Sequence, residues 1–97
     1  MEQVNHPQHY QKDGRKECIV EMQDRFGSYI TIIFDLTNCY KYLYRAGDKP
    51  GNDEGQDIDK ALWYYNHAMS LYKADVKLTG KEYKLLTYIR KELKKYA

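Results

Sequence analysis

From Tyr29 to Ala46, apolar side chains recur at Ile32 or Ile33, Leu36, Cys39 or Tyr40, Leu43 and Ala46, a broad stripe that keeps 3.6-residue spacing for four turns. A stripe of that length reads as a helix with one buried side. Its β-branched start, Ile30 to Ile33, would also suit a short strand. The period runs on past ordinary strand length, so helix is the expectation. Gly47 supplies a natural stop, and Pro50-Gly51 forbids continuation.

The flanking segments are read the same way. Residues 1–16 are polar, contain Pro7 and Gly14 and show no sustained period, which predicts an arm before the first helix. Glu17 to Phe26 predicts a short helix with Cys18 or Ile19, Met22 and Phe26 on one side and Glu17, Glu21 and Asp24 on another; Gly27 and Ser28 end it. Asp53-Glu54-Gly55-Gln56 has the form of a capping box with aspartate in place of serine or threonine. It opens a third helix expected to bury Ile58, Ala61, Leu62, Tyr65, Met69 and Tyr72. A second capping box, Thr79-Gly80-Lys81-Glu82, precedes Tyr83, Leu86, Ile89 or Arg90, Leu93 and Tyr96 at helical spacing. The expected fold is all-α, a small bundle of three long helices and one short helix with an N-terminal arm. It is read as a single domain, 1–97, comprising the arm at 1–16, site helices at 17–72 and a C-terminal helix at 73–97.

A chain of 97 residues buries roughly 60–65% of its unfolded surface, so a partner subunit would add useful burial. Eleven tyrosines stand against two phenylalanines and one tryptophan. A tyrosine ring packs while its hydroxyl bonds outward, which suits pockets and subunit interfaces as well as half-buried positions where leucine would serve; a homo-oligomer is expected. The net charge of +2 is unevenly spread. Residues 73–97 hold eight Lys/Arg against three Asp/Glu, whereas residues 1–72 hold eight against eleven. A lysine-rich outer face is more often solvated than bound to nucleic acid, so nucleic acid is the less favoured partner. Cys18 and Cys39 lie in apolar periodic segments without CxxC spacing and read as small buried hydrophobes of a reducing cytoplasm. The longest apolar run, Ile30 to Phe34 with Thr31 inside it, is far too short to span a bilayer, so no membrane association is expected.

Asn38, Lys41 and Arg45 fall at i, i+3 and i+7 of the second helix, on the face opposite Leu36, Leu43 and Ala46; Asp57, Lys60, Tyr64 and His67 repeat the pattern on the third. The loop between the helices is under ten residues, so they are expected to be antiparallel neighbours whose polar stripes share one groove. Arginine offers a planar fork for phosphate oxygens, lysine a mobile charge, and tyrosine or tryptophan rings a stacking surface for a base. The same spacing also describes ordinary surface ion pairs worth less than about 1 kcal/mol. In the arm, Asn5-His6-Pro7-Gln8-His9-Tyr10 sets two histidines three apart, with His67 the remaining histidine of the chain. That is too few ligands for zinc, and hydrogen bonding to a ligand or to the helices is expected instead. Glu17, Glu21 and Asp24 loosely resemble the magnesium-binding carboxylates of all-α nucleotide pyrophosphohydrolases, but their i, i+4, i+7 spacing is also that of a solvated helix face, which is the favoured reading. There is no GxxxxGK[ST], GxGxxG or nucleophile elbow.

An ordered set of short motifs covers residues 4–66: Val4-Asn5-His6-Pro7 with His9-Tyr10, Glu17-Cys18-Ile19, Lys41-Tyr42-Leu43 with Arg45-Ala46-Gly47 and Lys49, and Asp57 with Lys60-Ala61 and Trp63-Tyr64. This set resembles a family of small bacteriophage proteins long catalogued as a domain of unknown function. A longer protein containing that domain is a nucleoside monophosphate kinase that lacks a Walker motif and forms a large homo-oligomer. The resemblance implies a nucleotide-related ligand. Spacing and resemblance together nominate Asn5, His6, His9, Tyr10, Asn38, Lys41, Tyr42, Arg45, Lys49, Asp57, Lys60, Trp63, Tyr64 and His67 as ligand-binding residues, with catalytic residues unassigned and no metal site. Two functions stay open. One is sequestration, without turnover or cofactor, of a nucleotide or cyclic nucleotide that serves host antiphage defence, in the cytoplasm of an infected bacterium. The other is a kinase without a P-loop, drawing on Mg2+, in which Asp57 would organise the metal or the acceptor. A basic protein binding DNA or a host protein is the weaker third. Binding is preferred to catalysis because so small a domain offers no recognisable place for both donor and acceptor.

Overall fold

The computed structural model describes residues 17–48 and 53–96. The arm candidates Asn5, His6, His9 and Tyr10, together with Lys49, lie outside the described residues. Four helices follow one another: α1 (Cys18–Phe26), α2 (Ser28–Arg45), α3 (Glu54–Leu71) and α4 (Gly80–Leu93), the last closed by a 3-10 turn, Lys94–Tyr96. There is no strand among the described residues, and Ile30 to Ile33 belong to α2. The all-α expectation holds.

Local chemistry sets the boundaries. Gly27 sits at φ 94°, where an L side chain is strained, and so separates α1 from α2 at a single residue. Gly47, at φ 68°, turns the chain just after α2. Asp53 caps α3 by accepting from the Gly55 and Gln56 amides at 2.9 and 3.4 Å. Thr79 and Glu82 form a full capping box on α4: Thr79 Oγ1 accepts from the Glu82 amide at 3.3 Å, and Glu82 Oε1 accepts from the Thr79 amide at 2.8 Å. The second oxygen of Glu82 accepts from the Tyr29 hydroxyl, tying the start of α4 to the start of α2. That hydrogen bond lowers the Glu82 carboxyl and raises the Tyr29 phenol. Thr79→Ala is expected to cost about 1 kcal/mol, read as a lower urea midpoint at unchanged slope.

The core joins Ile32, Leu36 and Cys39 of α2, Ala61 and Ala68 of α3, and Leu86, Ile89 and Leu93 of α4. Ala61 and Ala68 stand two turns apart on α3, and their small side chains let its backbone approach α2 closely, so these two 18-residue helices form the main seam. No helix of the described residues is long and apolar enough to cross a membrane.

Several expected core positions are corrected. Cys18 is exposed; Cys39 is fully buried, and burial, then the Asp35 charge, pushes its thiol up to about 12. Phe26 is 60% exposed, because α1 buries little beyond Ile19. Leu62 is exposed at the rim of a cleft between α3 and α4. Tyr83 and Tyr96 are also exposed, their rings reaching solvent where a leucine would have been driven inward.

Candidate ligand-binding site

The α2–α3 seam runs antiparallel, and its contacts give the register. Arg45 of α2 meets Asp57 of α3, Tyr42 lies near Lys60, and Asp35 meets His67. One flank of this seam carries nearly all the described candidates.

At its upper end Arg45 Nε donates to Asp57 Oδ1 at 3.3 Å. Arg45 stands in the last turn of α2 and Asp57 in the first turn of α3, so each charge also complements its own helix dipole. Asp57 is only 3% exposed, which makes this more than a solvated surface pair. Beside it, Lys41 Nζ, Arg45 Cζ and Lys60 Nζ lie 4.5, 5.2 and 5.5 Å from the centre of the Tyr42 ring. Three cations thus gather around one aromatic ring. The ring quadrupole offsets about 0.5–1 kcal/mol per contact, and among the described residues neither lysine has a carboxylate at ion-pair distance. The two lysines therefore offer positive charge that an anion would engage.

Below it a chain of rings follows α3. Tyr64 stacks on Tyr42 at 5.9 Å and 12°, meets Phe34 edge-on at 6.0 Å, and touches Trp63 at 5.2 Å; Trp63 in turn stacks on the His67 imidazole at 5.0 Å and 8°. Such pairs favour defined geometry over a loose apolar patch.

At the lower end His67 Nδ1 and Asp35 Oδ2 are 2.6 Å apart. Asp35 is fully buried, whereas the His67 side chain is 22% exposed. Asp35 Oδ1 has no hydrogen-bond partner among the described residues. Burial raises the Asp35 carboxyl to about 6, with the hydrogen bond and charge of His67 pulling it partly back. A bond at Nδ1 to a buried carboxylate fixes the imidazole and leaves Nε2 as its other polar atom.

Lys41, Tyr42, Arg45, Asp57, Lys60, Trp63, Tyr64 and His67 are thus brought together. Asn38 is half-buried, but its amide donates to the Phe34 carbonyl at 2.9 Å, within its own helix, and does not join the cluster. The face carrying these groups is a flank of the seam rather than the side opposite the core. Asp35 escaped the sequence reading. The available signal was a carboxylate between Thr31 and Cys39 at i, i+4, i+8, inside the apolar stripe.

Among the described residues no group of three or more His, Cys, Asp and Glu is placed to hold a metal ion, and Glu21 of the acidic stripe pairs with Arg25 at 3.5 Å. Among the described residues, surface clefts also lie away from the seam. One of about 410 Å³ is lined by Tyr72, Lys73, Lys77 and Tyr83, and one of about 400 Å³ by Leu62, Tyr65, Arg90 and Leu93, among others.

A family model described as a protein of unknown function (DUF3310) matches residues 4–66, well over half of the chain. The matched span holds α1, α2 and most of α3, and it stops before α4. No curated protein and no solved structure matches the chain.

Proposed function

We propose that this chain, which belongs to the DUF3310 family, binds a nucleotide on the flank of the α2–α3 seam and holds it without turnover. The observation that carries the reading is the convergence of Lys41, Arg45 and Lys60 on the Tyr42 ring, with neither lysine at ion-pair distance from a carboxylate among the described residues. Phosphate oxygens take charge-assisted hydrogen bonds from these side chains, and a base stacks on the ring series of Trp63 and Tyr64. Held at high protein concentration and with tight affinity, a nucleotide signal is kept from any other receptor by mass action. A bacteriophage protein that removes a nucleotide signal of host antiphage defence would work in this way.

A second reading, a kinase without a P-loop, draws on the Asp35–His67 pair. A carboxylate that orients an imidazole through Nδ1 leaves Nε2 positioned as a proton acceptor for a substrate hydroxyl. One experiment separates the two. The pure protein is incubated with nucleoside mono- and triphosphates and then denatured, and the released nucleotides are resolved by ion exchange. With unbound nucleotide removed by desalting before denaturation, recovery of the input nucleotides is expected; a new diphosphate in either fraction rules out sequestration and makes the protein a kinase, and no retained nucleotide with no diphosphate formed rules out both.

A further inference from the structure

Resting on the nucleotide-binding reading, we infer that His67 is a second anion contact of the same site, and that the ligand carries two phosphate groups separated by one nucleoside. The helix register sets the spacing. Lys60 and His67 are seven residues apart on α3, two turns of one face, which places their backbones about 10 Å apart. Between them Trp63 and Tyr64 carry the rings that join the cation cluster to the imidazole, so the interval is aromatic.

The chemistry at the far end is that of an anion contact held in place. Asp35 is fully buried and engages Nδ1 at 2.6 Å, which fixes the orientation of the imidazole. Trp63, stacked at 8° on the same ring, restricts it further. Nε2, the other polar atom of a side chain 22% exposed, is then held in one orientation for a ligand instead of choosing among rotamers. A nucleoside monophosphate bound through Lys41 and Lys60 leaves this atom unused. A nucleoside 3′,5′-bisphosphate or a cyclic dinucleotide places a second phosphate one nucleoside away and engages both ends.

Calorimetric titration tests this with nucleoside 5′-monophosphates, the matching 3′,5′-bisphosphates and cyclic dinucleotides as probes. Two-phosphate probes are expected to bind at least tenfold more tightly than the monophosphates. His67→Gln, which keeps an N–H for Asp35 but removes the imidazole Nε2, should erase that advantage. In the unsubstituted protein the His67 imidazole resonances should shift with a two-phosphate probe and not with a monophosphate, a readout that stands even where the variant folds poorly. Lysine-dependent monophosphate binding with no gain from the second phosphate, or with a gain that survives His67→Gln, overturns this inference and leaves the site reading intact. Absence of binding by every probe, or binding indifferent to Lys41 and Lys60, overturns the site reading and the inference together.

Discussion

Replacing Lys41 and Lys60 together by alanine is expected to weaken nucleotide binding by about 100-fold or more while leaving the helical circular dichroism unchanged. A hydrogen bond to a charged group contributes about 1.5–3 kcal/mol, so each lysine is worth roughly 10–100-fold. Lys41 is exposed and Lys60 half-buried, and the described contact of both is the Tyr42 ring, so their removal opens no cavity in the core. Arg45→Ala is a less clean test. It also takes a partner from Asp57, a nearly buried carboxylate, and so mixes lost ligand contacts with lost stability. Affinity within threefold of the unsubstituted protein would place the ligand elsewhere, with the Lys73 and Lys77 cleft the next site to probe.

His67→Ala is expected to destabilise the fold by about 3–5 kcal/mol at pH 8, and by much less near pH 5. The substitution strips Asp35 of its one described hydrogen-bond partner and of both influences that lower its carboxyl. At pH 8 the fully buried group would then be a lone carboxylate. The pH dependence follows from the direction of the shift. The folded-state carboxyl sits at about 6, above its ordinary 3.8, so the folded protein binds the extra proton. Asp35's contribution to stability is fully present below about 3.8 and is lost as pH rises through about 6. Without His67 the carboxyl rises further, and a protonated Asp35 at pH 5 no longer carries a buried charge. Urea midpoints of the variant and the unsubstituted protein at both pH values measure this, with Asp35→Asn expected to remove that part of the slope. An equal loss at pH 5 and pH 8 would show that Asp35 does not carry the charge assigned to it.

The helices were largely legible because their signals are local. Gly27, Gly47, Asp53 and the Thr79–Glu82 box act within a turn of where they stand, and each boundary falls where that chemistry puts it. The expected buried side of α2 also holds at Ile32, Leu36 and Cys39. The errors share one cause. Period places Leu62 and Cys18 inward, yet an apolar residue is buried only where another element covers it, and α1 covers little beyond its own line of contact.

The candidate site divides along the same line. Lys41, Arg45, Asp57, Lys60, Tyr64 and His67 could be grouped from spacing and a short loop, because helical period places residues on faces and short connections make antiparallel neighbours. Spacing does not reveal which face lies against which, or how far along. Asp35 shows this best, since in sequence it is one acid beside Leu36, and it becomes the buried partner of His67 only because α2 and α3 pack in the register that sets them opposite. What the sequence determined by itself is the set of helices and the inventory of charge and rings they carry, since period, caps and stops act over a few residues. What only the tertiary structure decided is the convergence of three cations on Tyr42 and the burial of Asp35 against His67, because these depend on side chains from two helices meeting across a seam whose register no local signal encodes.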